Sequence, residues 1–448
     1  MFSRVLVANR GEIAVRVIRA LHELGIKAVA IYSTADRDAL HVKMADHAVH
    51  IGPPSAAASY LRIPSVIAAA TTTGCDAVHP GYGFLAENPA FAEACVDNDL
   101  VFVGPPAEVM AVMGDKISAK RAMREADVPT VPGTEGATTA EAARAAADEI
   151  GFPVLLKATA GGGGKGMRLV RSPDELDDAF SMAANEADAA FGDPTMYVEK
   201  ALVPARHVEI QVICDHHGNV LTLGERECSI QRRHQKLIEE SPSAALTPEG
   251  REAMEAAAER ACRAVGYRNA GTFEFLVAPD GSFYFIELNA RLQVEHPVTE
   301  LCTGVDLVRE QLRVAAGETL SVTGRAPRRG HAIEIRLNAE DPQHDFRPSP
   351  GLVSLFEPGQ GPGVRVDTFI ESGTVISPFY DSMIAKPIVW DNDRPAAIAR
   401  AERALRETTV VGVPTTRDVA LEVLASDPFR SGDYSTSTLE ALRAVAAT

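Results

Sequence analysis

Along the first hundred residues, short apolar runs alternate with stretches of helical spacing. Residues 4–8 and 28–32 read as buried strands, and between them Ile13, Val17, Leu21 and Leu24 share one face of a helix. Residues 76–79 and 100–104 repeat the strand pattern, giving the βαβ rhythm of a parallel sheet covered by helices. Beyond Gly114 a helix to about Asp127 is stopped by Pro129 and Pro132. Residues 138–150 then read as an Ala-rich surface helix opened by a Thr cap, and 152–158 as a buried strand. The mixed pattern continues to about Gly317. From Arg325 a Pro- and Gly-punctuated stretch leads into strands at 332–337 and 363–368 and helices at 395–405 and 416–424. A chain of 448 residues exceeds what one core serves, and the pattern divides it into 1–113, 114–325 and 326–448. The fold class expected is multidomain, α/β with α+β.

The most informative segment lies at 271–296. Residues 271–277 and 283–289 are strand-like runs joined by a turn containing Pro279, Asp280 and Gly281, a strong hairpin signal. A turn centred on Asp280-Gly281 sets Glu274 opposite Glu287. Like charges opposed across strands repel, so two carboxylates held on one face call for a cation between them. Asn289, on the same face, adds a third oxygen, and an oxygen-only set suits Mg2+ or Mn2+ with nucleotide phosphates filling the remaining positions. The same parity continues through Arg291, Gln293 and Glu295, while Ile286, Leu288, Ala290, Leu292 and Val294 take the other side. An exposed edge strand also gives a polar face, but one richer in Lys, Thr and Ser; a carboxylate pair joined to Arg and a further Glu reads as a reaction centre. His207, Glu209 and Gln211 alternate in the same way within 206–212, a pattern that alone is equally structural.

Gly161 to Gly164, then Lys165 and Gly166, follow the strand at 152–158, and such a run lets backbone N–H groups converge on phosphate oxygens. Gly161, Gly163 and Gly166 satisfy the spacing of a dinucleotide fingerprint. That motif must open a helix, whereas Met167, Arg168, Leu169 and Val170 read as another strand. A P-loop fails as well, for want of a Ser or Thr after Gly-Lys. What remains is a glycine-tipped hairpin, either a flap over a nucleotide or a flexible surface turn.

Composition narrows the partners. A formal charge of −17 argues against nucleic acid, so any anionic substrate must meet local clusters of Lys and Arg. No stretch approaches the length of a membrane span, and the first residues run directly into a strand without a secretory leader, so a cytoplasmic protein is expected. The six cysteines make no metal-ligand spacing and are expected as reduced, mostly buried thiols.

Five motifs in order resemble the biotin carboxylase family of the ATP-grasp superfamily, over nearly the whole chain. They are Val7-Ala8-Asn9-Arg10-Gly11-Glu12-Ile13-Ala14, His79-Pro80-Gly81-Tyr82-Gly83-Phe84-Leu85, the loop at 157–167, Gln231-Arg232-Arg233-His234-Gln235-Lys236, and the run from Arg291 to Glu300. The resemblance implies a Rossmann-like N-terminal domain, an ATP-grasp domain with a mobile glycine-rich lid at about 130–203, and a mixed α/β C-terminal domain. It implies Lys116 and Lys157 on nucleotide phosphates, Gly163 and Gly164 in the flap, and Glu199, Lys200, Ala201 and Leu202 as the hinge beside adenine. His207, Gln231 and His234 would line the nucleotide site, and Glu274, Glu287 and Asn289 match the metal ligands. Lys236, Arg291, Gln293 and the Val294 backbone match a bicarbonate pocket, Glu295 the general base, and Arg336 the arginine facing biotin.

The implied activity is ATP-dependent carboxylation of biotin, with MgATP (or Mn2+) and bicarbonate as reactants. The biotin belongs to a separate carrier, because no Met-Lys dipeptide, on which the carriers' biotinylation signature is built, occurs in this chain. A biotin carboxyl carrier protein and a carboxyltransferase are the implied partners. A homodimer is implied too, through Arg16, Arg19, Glu23 and Arg365, whose plainer reading is a solvated charged face. Ala290, Ser243-Ala244 and Pro387 depart from the family pattern and touch only local packing. The rival readings are another ATP-grasp carboxylate ligase, which would not need Arg291 to Glu295 with Arg336, and a non-catalytic nucleotide-binding module.

Overall fold

The computed structural model describes residues 1–134, 139–159 and 167–446, so Gly163 and Gly164 lie outside the described residues. Its first body is a five-stranded parallel sheet in the order His47–Gly52, Lys27–Ser33, Arg4–Val7, Ala77–His79, Val101–Phe102. Val5 and Val7 face the helix Gly11–Glu23 through Ile13, Val17 and Leu21. Leu6 faces the opposite layer with Val66 and Phe91 from the helices Ile63–Thr72 and Pro89–Val96. Both faces are covered, which is why these strands read as continuous apolar runs rather than alternations.

The second sheet has ten strands. Its main path runs through Phe283–Asn289, Asn269–Val277, Arg206–Cys214, Val220–Arg232, Gln235–Ser241, His331–Ile335, Met383–Asp391 and Leu337–Asn338. The pairing of Ser241 with Ala332 carries the sheet straight across the boundary expected near 325. A third sheet, Met167–Val170, Val154–Ala158 and Met196–Lys200, packs with the helices Ala140–Ile150 and Leu176–Phe191 around its own core of Val154, Leu156, Val170, Ala183 and Val198. Thr139 caps the first of those helices, its hydroxyl accepting from the Ala142 N–H.

The carboxylate hairpin forms with a local correction. Its turn pairs Val277 with Phe283 and Phe275 with Phe285, one residue tighter than a turn centred on Asp280-Gly281 requires. A bulge at Ile286 takes up the difference, and Glu274 meets Glu287 as expected. The apolar parity, Phe273, Phe275 and Phe285, is fully buried against Val208, Ile210 and Val212. On the other face the register lines up Glu287, Glu274, Glu209 and Arg226 across four adjacent strands. The strand, however, stops at Asn289; Arg291 to Glu295 form a loop that enters the helix His296–Thr303. The regular alternation read past Asn289 is therefore not a strand.

All six cysteines are buried free thiols. Among the described residues no helix is long and apolar enough to cross a membrane.

Candidate active site

A cavity of about 1210 Å³ opens where the three sheets meet. Lys116, Lys157, Glu199, Lys200, Ala201, Leu202, His207, Gln231 and His234 line it, and so do Lys236, Glu274, Glu287, Asn289, Arg291, Gln293, Val294 and Arg336. Every expected site residue among those described is on that wall except Glu295.

Glu295 lies immediately behind it, with no exposed surface. Its Oε1 is 2.5 Å from Lys236 Nζ and its Oε2 accepts from Arg336 Nη2 at 2.9 Å. Burial opposes ionisation, but Lys236, Arg336 and Arg226 outweigh it and hold this carboxyl well below the ordinary range. Lys236 is the hub of the site. Besides Glu295 it touches Glu209 at 2.7 Å and Glu274 at 3.1 Å, and this ring of acids keeps its ammonium charged despite burial. Arg336 completes the fork by donating from Nε to Glu239 at 2.6 Å, so both of its carboxylate partners are fully buried.

Glu209 is in turn held by Arg226, which has no exposed surface and lies 2.5 Å from it, while also donating to Gln211, Thr299 and Thr272. Cations and carboxyl groups interleave, Lys236, Glu295, Arg336 and Glu239 in one run and Arg226, Glu209 and Lys236 in another, while burial pushes the Glu239 carboxyl up to about 7 and raises that of Glu209. In a dry interior only such alternation keeps buried charges affordable.

The oxygen donors differ in readiness for a divalent ion. Glu274 is buried and held below the ordinary range; burial works the other way, but Lys236 and His207, whose Nε2 lies 2.9 Å away, prevail. Glu287 opens toward the cavity, and its carboxyl is pushed up by burial and by the opposed Glu274, an excess of negative charge that a cation would relieve. The pair fits an oxygen-ligated divalent ion. Asn289 fits less directly, because its Oδ1 accepts from Arg291 at 2.9 Å and its Nδ2 donates to Glu274 at 2.9 Å.

At the end of the cavity lined by Lys116 and Lys157, Glu199 differs from a hinge that acts only through its backbone. Its buried carboxylate reaches Lys157 Nζ at 2.6 Å and also contacts Lys120. Burial and neighbouring lysines lower Lys157 to about 8 and Lys120 to about 7. Lys120 is absent from the expected set, although its signal was available: it sits one helical turn beyond Lys116 on the helix Lys116–Glu125 and shares its face. Lys200 lines the cavity but ties its ammonium to the Gly151 and Phe152 carbonyls at 2.9 and 3.0 Å. Arg291 is anchored by Glu87 at 2.8 Å, a contact from the first body that periodicity could not supply. Arg16 and Arg365, expected on a dimer face, both bond Glu300 within the chain, at 2.9 and 2.6 Å, whereas Arg19 and Glu23 are exposed.

Residues 1–110 match the family described as biotin carboxylase, N-terminal domain; residues 115–323 match the ATP-binding domain of the carbamoyl-phosphate synthase L chain; and residues 334–441 match the biotin carboxylase C-terminal domain. The chain is 54% identical over 441 residues to a biotin carboxylase from a Nostoc species, covering 98% of this chain and 99% of that one. The chain belongs to the biotin carboxylase family. A biotin carboxylase from Campylobacter jejuni, solved as a β,γ-ATP complex, superposes with a TM-score of 0.95 at 47% identity, covering 98% of this chain and 99% of that one. The biotin carboxylase domain dimer of a Hydrogenobacter thermophilus 2-oxoglutarate carboxylase, in complex with MgADP, ADP and bicarbonate, gives a TM-score of 0.94 at 47% identity, covering 99% and 98%.

Glu287→Gln keeps the shape of the hairpin and removes one of its opposed charges. In metal-free buffer its Tm should rise by up to about 1 °C, the scale on which a relieved repulsion of a few tenths of a kcal/mol is read. With ADP present, the Mg2+ concentration needed to stabilise the protein against heat should rise about tenfold. Unchanged values in both titrations would make the pair structural only.

Proposed function

We propose that the protein uses ATP to activate bicarbonate as carboxyphosphate and places the carboxyl group on a ureido nitrogen of biotin borne by a separate carrier protein. One observation carries this reading: a cluster of Lys236, Arg291 and Arg336, cationic and backed by Glu295, shares one cavity with the lysines and carboxylates of the nucleotide end. A nucleotide-binding module has no use for such an anion pocket. A ligase that activates larger carboxylates has no use for a second arginine from the third unit.

Bicarbonate is a poor electrophile. Its oxygen attacks the γ-phosphorus, the bond from that phosphorus to the β,γ-bridging oxygen breaks, and ADP leaves as carboxyphosphate forms. Lys116, Lys157 and Lys120 neutralise the phosphate oxygens, and Arg291 with Lys236 brings the second anion alongside. A divalent ion held by Glu274 and Glu287, with Asn289 once released from Arg291, would supply charge neutralisation at the nucleotide phosphates. Glu295 accepts the bicarbonate proton. In the free protein two cations suppress its basicity, and an incoming anion that draws Lys236 and Arg336 toward itself restores it.

Carboxyphosphate then parts into CO2 and phosphate. The phosphate takes the N1 proton of biotin, and N1 attacks CO2. Negative charge gathers on the ureido oxygen, beside which the fixed guanidinium of Arg336 acts.

The functional division follows 1–113 as the Rossmann-like domain, 114–325 as the ATP-grasp domain with its lid at about 130–203, and 326–448 as the C-terminal domain. A biotin carboxyl carrier and a carboxyltransferase complete the reaction. A homodimer is supported by the dimeric Hydrogenobacter domain and by exposed Arg19 and Glu23, and a cytoplasmic setting suits the free thiols.

ATP cleavage by the purified protein should depend on bicarbonate and rise when free biotin is added; turnover unchanged in bicarbonate-depleted buffer would remove the reading. Arg336→Ala should lower carboxybiotin formation about 10²- to 10³-fold, the usual cost of one preorganised donor. Some bicarbonate-dependent ATP cleavage should survive, and Arg336→Lys should restore carboxylation only in part. Equal losses of the two rates in a folded Arg336→Ala protein would assign Arg336 to general support of the site.

A further inference from the structure

Val294 enters the proposed pocket through its backbone, so the orientation of its two peptides decides where its N–H points. Both peptides are gripped from behind the cavity wall. The peptide joining Gln293 to Val294 has its carbonyl 2.8 Å from His296 Nδ1, and the His296 backbone N–H reaches the same oxygen at 3.4 Å. A carbonyl oxygen only accepts, so His296 carries its proton on Nδ1. Burial lowers the imidazole to about 3, and the ring is neutral. The peptide joining Val294 to Glu295 has its carbonyl held by Lys386 Nζ at 2.8 Å.

Lys386 is fully buried on the central strand Met383–Asp391 of the third unit. Its ammonium also touches Glu12 Oε1, from the first body, at 3.0 Å. That same oxygen accepts from the Tyr82 hydroxyl, and Tyr82 lines the cavity.

The geometry follows from peptide planarity. Neither peptide is among the chain's cis bonds, so each C=O and the N–H of the next residue point in opposite directions. Pulling the Gln293 carbonyl toward His296 aims the Val294 N–H away from His296, and Val294 lines the cavity. Pulling the Val294 carbonyl toward Lys386 fixes the plane on which Glu295 begins. A buried lysine is costly unless its charge is used, and this one is spent on a neutral carbonyl as well as on Glu12.

We propose that His296 and Lys386 are positioning residues for the bicarbonate pocket, clamping the two peptides of Val294 so that its N–H faces the anion and Glu295 is held in register with Lys236 and Arg336. The inference rests on the bicarbonate reading above. Neither residue touches substrate; both act through the backbone. The clamp also makes the pocket depend on all three units, since Glu12, Val294 and Lys386 come from different ones.

The test compares His296→Ala, His296→Asn and Lys386→Met with wild type, measuring KM for bicarbonate, KM for ATP and Tm on each preparation. An Asn amide can replace the Nδ1–H donor, whereas Ala cannot. His296→Ala and Lys386→Met should raise KM for bicarbonate about tenfold, the scale of one lost orienting hydrogen bond, with KM for ATP within about twofold of wild type. His296→Asn should recover most of that loss. Lys386→Met strands Glu12 in the interior; if it fails to fold, the His296 pair, which changes no charge, decides. Wild-type KM for bicarbonate in a folded His296→Ala protein would overturn the clamp, as would equal rises in both KM values or an Asn variant no better than Ala. A wild type indifferent to bicarbonate would instead overturn the reading beneath it, a result seen before any variant is made.

Discussion

The site depends on a single constraint, that charges taken out of water must alternate. Lys236 has three carboxylates within 3.1 Å, from Glu209, Glu274 and Glu295, and each of them needs a further donor of its own. Arg226 serves Glu209, His207 and Asn289 serve Glu274, and Arg336 serves Glu295. Removing a cation such as Arg226 or Arg336 leaves a buried carboxyl short of its counter-charge, which costs several kcal/mol. The network therefore holds these side chains beside the cavity in the free protein, and in the proposed reaction an incoming anion draws Lys236 and Arg336 from Glu295 toward itself.

The same constraint explains the architecture. The ten-stranded sheet runs from the carboxylate hairpin through the Lys236 strand to the strand bearing Lys386 and to His331–Ile335, which Arg336 directly follows, so one hydrogen-bonded surface sets the spacing between the Glu274–Glu287 pair and the arginine. The first body closes the ring from the side with Glu12, Tyr82 and Glu87, each bonded to a group of the site or to one that holds it. The third sheet has a core of its own and brings Lys157 and Glu199 to the cavity wall. The two ends of the cavity thus rest on different packing units.

What could be read from the residues alone was what a local period can encode. Parallel strands of the first body, both faces of the hairpin and the Glu274–Glu287 opposition followed from alternation and turn chemistry, even though the turn is tighter than expected and a bulge at Ile286 restores the register. Alternation misled beyond Asn289, where Arg291 to Glu295 converge on the cavity through a loop, because a polar residue at every second position is compatible with several backbones. Lys236 and Arg336 came from family resemblance, not from spacing. Arg226 and Lys386 carried no local signal, since a buried charge is intelligible only beside partners that lie far off in sequence. Lys120 was legible, one turn from Lys116, and was passed over.

In the proposed reaction bicarbonate itself accepts the phosphoryl group, so that one of its oxygens ends on phosphate. Turnover with oxygen-18 bicarbonate, MgATP and biotin, followed by mass analysis of the released inorganic phosphate, tests this directly. The expected phosphate carries one bicarbonate-derived oxygen-18 for each ATP cleaved in coupled turnover. Phosphate free of the label, with carboxybiotin still formed, would contradict it.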